Sequence, residues 1–285
     1  MIPLERAYLF GNEKSLLGIL TEPLVSAPAE PLPTLLLLNA GLLHRVGPFR
    51  MHVDLARRLA KLGFPVFRLD LSGKGDSEPR RGQGLDEDRA IQDIQEAMDF
   101  LAAKKGHQKF ILFGLCSGAD NAHPVALRDP RVVGAVFLDG FGYATQGHRL
   151  RHYGRRLRDL PSVKRFLLRK LSRLLPGISV RAAAPYVLTY VREFPPCGQV
   201  ERELKQMTDQ GKKLLFVYTG GVETYFNDPC QFDEMFPRLK NGRTCIEVVH
   251  YPDAEHTYPR ISDREKLLSR VTDWAVLNFS TAVRE

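Results

Sequence analysis

The segment of this 285-residue chain best suited to covalent chemistry is Gly114-Leu115-Cys116-Ser117-Gly118, a cysteine with a glycine two positions away on each side. A thiol becomes a strong nucleophile toward carbonyl carbon once ionised, and a helix N-terminus lowers its ordinary pKa of about 8.5. Residues 109–113 read as a strand and 117–128 as a helix, so Cys116 stands at a strand-to-helix turn. A nucleophile held at such an apex is backbone-strained, and side chains two residues either side would collide with the neighbouring strand and helix. That collision explains both glycines. Ser117 is the competing nucleophile, but it would put Leu115 where a small residue is needed. A third reading makes Cys116 a small buried filler, which leaves the glycines without a purpose.

The remaining reactive side chains are spread along the chain. The other cysteines, 197, 230 and 245, show no C-x-x-C spacing and no histidine at zinc-finger distance. Reduced thiols with no metal site and no disulfide framework are therefore expected, and the residues imply no cofactor. The N-terminal residues lack the apolar centre and small-residue cleavage site of a secretory signal, which predicts a cytoplasmic protein. Apolar runs such as 35–38 are far too short to cross a bilayer.

The elements that must position Cys116 follow from pattern. Residues 4–21 read as a hairpin around Gly11-Asn12-Glu13-Lys14, followed by a continuous apolar strand at 34–39. A helix at 51–62 stops at Gly63, a strand spans 65–69, and a helix runs over 87–103. After 109–113 and 117–128 comes a strand at 132–138. Alternating strands and helices with short links predict an α/β fold with a mostly parallel sheet and helices on both faces. The alternation lapses between 141 and 198 and resumes with a helix at 200–209, strands at 213–218 and 244–250, and a helix at 263–279. One core formed by 1–140 and 199–285, interrupted by a helical cap insertion at 141–198, accounts for that order.

Taken together these features resemble the α/β-hydrolase superfamily over nearly the whole chain. Asp70-Leu71-Ser72-Gly73-Lys74-Gly75-Asp76-Ser77 is similar to that superfamily's D-x-x-G-x-G-x-S loop, and it lacks the spacing of a phosphate-binding P-loop. A cysteine elbow, G-x-C-x-G, is similar to that of dienelactone hydrolases and polyhydroxyalkanoate synthases, where most esterases and lipases have serine. The resemblance implies partners in the chain order nucleophile, acid, histidine. It points to His256, in Asp253-Ala254-Glu255-His256, as the base, and through the family's G-x-x-D/E spacing in Gly220-Gly221-Val222-Glu223 to Glu223 as the acid, with Asp228 as the alternative. An oxyanion hole would be formed by Ser117 N–H and by Leu42 or Gly41 N–H from the loop after the 34–39 strand. His44 and Arg45 are candidates for the pocket mouth.

The formal charge is +8, and its distribution carries more information than its size. From His148 to Arg181 there are eleven Lys or Arg and one acid, so this segment is +10 and the rest of the chain is −2. Leu150, Tyr153, Leu157 and Leu160, then Phe166, Leu167, Leu171, Leu174 and Leu175, recur at helical spacing between the basic residues. A lid helix packed on the core with a solvated basic face would give this pattern. So would a surface that recruits an anionic partner: coenzyme A, an acidic acyl carrier protein or an anionic membrane surface. Nucleic acid is disfavoured, since no recognition motif accompanies the charge. The sequence thus predicts an acyl hydrolase or acyltransferase acting on an ester or thioester through an acyl-Cys116 intermediate. Two readings compete with it, a non-catalytic partner-binding protein on the same fold and a serine esterase using Ser117.

Overall fold

The computed structural model describes residues 2–24, 31–80, 85–158 and 192–280. Eight strands form one sheet: β1 (Glu5–Phe10), β2 (Leu16–Thr21), β3 (Thr34–Leu37), β4 (Val66–Leu69), β5 (Phe110–Leu115), β6 (Val132–Leu138), β7 (Lys213–Thr219) and β8 (Ile246–Tyr251). Their order across the sheet is β1-β2-β4-β3-β5-β6-β7-β8. The N-terminal hairpin is antiparallel and β2 joins β4 antiparallel, while every pairing from β4 to β8 is parallel.

Both faces of the parallel part are covered, and β5 shows how its sequence meets that demand. Phe110 and Leu112 enter one core, whereas Ile111, Phe113 and Leu115 enter the other, as the two-residue period of a strand requires. The first core is closed by α2 (Asp86–Lys105), α3 (Ser117–Arg128) and α5 (Cys197–Asp209), through Ile94, Val125 and Leu204 among others. The second is closed by α1 (Met51–Lys61) and α6 (Ile261–Phe279), through Leu55, Leu59, Val271 and Trp274. Gly63 follows α1 with φ of 91°, the left-handed conformation that stops a helix there.

Strand order reverses at β3, which pairs β4 on one side and β5 on the other. The loops leaving β3 and β5 therefore diverge and open a crevice at the carboxyl ends of the strands, where parallel α/β sheets place ligands. Cys116 sits at that edge.

Of the segment expected as a basic cap, α4 (Gln146–Arg158) falls within the described residues. Its contact with the body is polar. His148 Nε2 donates to the Glu223 carbonyl at 2.9 Å, and Arg151 pairs with Glu234 at 2.7 Å. Leu150 and Tyr153, which a lid helix packed on the core would bury, are exposed. The positions from Leu160 to Leu175 lie outside the described residues. Among the described residues no helix is long and apolar enough to cross a membrane.

Candidate active site

Cys116 lies between the last residue of β5 and the first of α3, with φ of 54° and ψ of −120°. Left-handed φ is costly for a residue with a side chain and marks an apex held by its surroundings. A Cβ on Gly114 would come within 2.2 Å of the Gly118 backbone, and one on Gly118 within 2.6 Å of the Asn39 carbonyl oxygen. Both glycines are therefore required by close backbone approach. Ser117 is the first residue of α3, and its Oγ accepts the Gly41 N–H at 2.8 Å.

His256 comes from the loop after β8, and its ring lies near enough to Cys116 for each group to shift the other's ionisation. Its Nδ1 donates to Asp139 Oδ2 at 2.6 Å. The carboxylate against the imidazole is thus Asp139, and not Glu223 or Asp228. Asp139 follows β6 directly, is 0% exposed, and also accepts Thr219 N–H and Thr219 Oγ1–H at 2.7 Å each. Glu223 is exposed, and its backbone carbonyl is occupied by His148. Asp228 accepts the Cys230 N–H at 2.9 Å.

The physical reason for this exchange lies in the glycines of Gly220-Gly221-Val222-Glu223. A Cβ at Gly220 would lie 2.0 Å from the Pro252 carbonyl oxygen, and one at Gly221 would lie 2.9 Å from His256 Cβ. These glycines let the histidine loop press against the end of β7, with Gly220 N–H donating to the Ala254 carbonyl at 3.0 Å. They seat the His256 loop and do not present a carboxylate to it. The sequence marks Asp139 only by position, as an acid closing the apolar run Val132–Leu138 at the carboxyl end of a strand beside the elbow strand.

Charge is arranged to ionise the sulfur. Burial alone would push the Cys116 thiol up, but the hydrogen bond with His256, the nearby Arg192 guanidinium, the imidazolium charge and the Ser117 N–H together bring it below its ordinary value. His256 is raised to about 9, first by its bond to Asp139 and then by its bond to Cys116, against the opposing effect of burial. The two shifts run in the direction that favours a thiolate beside an imidazolium. Arg192, from the segment just ahead of α5, is a further site residue that the sequence reading did not nominate.

The loop after β3 is braced from below. Asn39 accepts Leu71 N–H at 2.6 Å and donates to the Leu43 carbonyl at 2.8 Å and to Asp70 Oδ1 at 3.1 Å. Asp70 also accepts Arg45 N–H at 2.6 Å and pairs with the Arg45 side chain. Gly75 must lack a Cβ because one would lie 2.4 Å from the Asp70 carboxyl, and Ser77 Oγ–H donates to the Asp70 carbonyl at 2.7 Å. The D-x-x-G-x-G-x-S loop is accordingly a brace for the loop beside the elbow. Arg45, a candidate for the pocket mouth, is spent on Asp70 and Asp76. His44 Nδ1 accepts the Val46 N–H at 3.4 Å.

A family model described as serine aminopeptidase, S33, matches residues 39–217. The chain belongs to this family. The match runs from the braced loop through the cysteine elbow and Asp139 to β7, so the serine aminopeptidase, S33, family covers most of the positions that meet at the site. No curated protein matches the sequence. Among solved structures, an esterase of Pyrococcus furiosus superposes with a TM-score of 0.61 at 17% identity, covering 98% of this chain and 93% of that one. A dienelactone hydrolase from Anabaena variabilis gives 0.56 at 14% identity, covering 98% and 100%. A hypothetical protein from Pseudomonas aeruginosa gives 0.56 at 15%, covering 97% and 94%. At these identities the likeness is one of fold, and the fold is that of the α/β-hydrolases.

Proposed function

We propose that the protein is an acyl hydrolase or acyltransferase for an ester or thioester, with Cys116 as nucleophile, His256 as proton carrier and Asp139 as the carboxylate that orients the ring. The observation that carries this reading is the Cys116 residue at a left-handed apex, facing an imidazole whose Nδ1 is held by a buried carboxylate. The Cys116 thiolate attacks the carbonyl carbon, forming a C–S bond and an oxyanion. That oxyanion would be held by Ser117 N–H and Leu42 N–H, since Gly41 N–H is engaged by Ser117 Oγ. Collapse expels the alkoxide or thiolate, which takes the proton from His256. The neutral imidazole next removes a proton from water, or from an acceptor hydroxyl or thiol, as that oxygen or sulfur attacks the acyl carbon. The Cys116 thiolate leaves and the imidazolium is restored.

Thioesters fit the sulfur nucleophile well, because exchange of one thioester for another has little thermodynamic cost. The esterase and dienelactone hydrolase among the structural neighbours support ester-type substrates. The basic segment adds only general electrostatic support for an anionic carrier such as coenzyme A or an acyl carrier protein, or for an anionic membrane surface, because most of it lies outside the described residues. The test is turnover of p-nitrophenyl esters and acyl thioesters of graded chain length by the wild type, Cys116→Ala and Ser117→Ala. Activity that vanishes in Cys116→Ala and persists in Ser117→Ala is expected. Activity that persists in Cys116→Ala and vanishes in Ser117→Ala would establish Ser117 as the nucleophile instead.

A further inference from the structure

Among the described residues only six other than glycine have left-handed φ, and two of them are Cys116 at 54° and Asp139 at 47°. Their carbonyl oxygens turn toward one side chain. Arg192 Nη2 donates to the Cys116 carbonyl at 3.0 Å, and its Nη1 donates to the Asp139 carbonyl at 2.6 Å. The guanidinium is itself fixed by Asp120, one turn into α3, through Nε–H to Oδ2 at 2.6 Å and a second bond from Nη2 to Oδ1. The Phe194 ring lies beneath it, 4.8 Å from ring centre to guanidinium carbon. This fork is largely buried, at 12% exposure for the Arg192 side chain.

We propose that Arg192 is a positioning residue of the active site: it clamps the two strained residues, Cys116 and Asp139, through their carbonyls and sets a fixed positive charge beside the reactive sulfur. The inference rests on Cys116 being the nucleophile. A planar guanidinium has donors enough to hold two carbonyls and a carboxylate at once, which an ammonium on a flexible stem does not. Bonds to a charged donor are the stronger kind, so they suit two backbone positions that neither residue would adopt freely. The clamp also joins three elements that are otherwise separate in sequence, the elbow after β5, the acid after β6 and the chain entering α5. The Cys116 thiol is lowered by Arg192 as well as by His256, in keeping with that placement. The titratable and charged groups that face this cluster are His256, Asp139, Asp120, Tyr225, whose hydroxyl donates to the Asp139 carbonyl at 3.3 Å, and His123, whose charge acts on Asp120.

The test is the pH dependence of Cys116 alkylation by iodoacetamide, followed by peptide mass, alongside kcat and KM for the substrate found by the turnover screen. Arg192→Met should move the midpoint of thiolate formation upward by about one pH unit, a roughly tenfold loss of thiolate on the acid limb, and lower kcat more than it raises KM. Asp120→Asn keeps the cation and removes its counter-charge, so it should move the midpoint downward. Arg192→Lys should hold the midpoint near the wild-type value and still lose kcat, because the fork is gone. Should Arg192→Met not fold, the downward midpoint of Asp120→Asn and the lost kcat at an unchanged midpoint of Arg192→Lys still decide the matter. Midpoints and kcat that stay at wild-type values in the folded variants, with only a fall in Tm, would overturn the proposal and leave Arg192 a structural ion pair. Alkylation of Cys116 is read without turnover, so an inactive sulfur would show separately, as activity retained in Cys116→Ala.

Discussion

At the scale of single residues, the site depends on which carboxylate holds the imidazole and which atom is ionised. Asp139 is sealed against His256 and Thr219, whereas Glu223 is exposed, and this difference has a measurable consequence. Asp139→Asn should lower kcat by about 10³–10⁴, since an amide misorients the ring and cannot stabilise its cation, while Glu223→Gln should change it by no more than about threefold. Steady-state kinetics on purified variants checks both. The ionisation states fix the pH profile as well. Below the lowered Cys116 value the sulfur is protonated and unreactive, and above about 9 His256 has lost the proton that the leaving group needs. The profile of kcat/KM should therefore be a bell, rising below the ordinary thiol range and falling near 9. In Cys116→Ser the hydroxyl does not ionise and a neutral imidazole is needed as base, so any residual activity should climb with pH across the wild-type plateau. The placement of Cys116 at a strand-to-helix turn and of His256 in the loop after the last strand was legible in the sequence because each sits in a constrained motif. Asp139 escaped because a lone acid after a strand is a common surface feature, and nothing in its neighbours shows that a loop more than a hundred residues later will fold onto it.

At the scale of elements, the elbow and the loop after β3 form one mechanical unit. A Cβ at Gly118 would strike the Asn39 carbonyl, and Asn39 is the residue through which Asp70 fixes that loop. Gly118→Ala should force the two apart at a cost of about 1–3 kcal/mol, lowering Tm by several degrees. It should also cut kcat well beyond what the loss of stability explains, since Ser117 N–H and the Leu42 loop would lose register. Thermal melts and kinetics at a temperature where both proteins are fully folded separate the two effects. The helices and parallel strands were legible to within a few residues because apolar period and terminal glycines mark them. The amphipathic pattern of α4 misled, since period identifies a helix without saying what covers its apolar stripe, and the polar contacts of His148 and Arg151 decide its face.

At the scale of the whole molecule, strands covered on both faces fix the architecture. The apolar runs at β3 and β5, buried along their whole length, suit a sheet between two helical layers, and that makes the fold legible in the sequence. What pattern alone did not provide is the convergence at the carboxyl edge, where segments from β3, β5, β6, β8 and the chain entering α5 meet around one sulfur atom. The proposed mechanism calls for a covalent intermediate at that point of convergence, which can be weighed directly. A rapidly quenched reaction with a slowly turned-over acyl ester, examined by intact mass and peptide mapping, should show one acyl group on Cys116 that forms and decays at rates consistent with kcat, and none in Cys116→Ala. Turnover with no adduct on Cys116 at any time, or an adduct on Ser117, would contradict the account.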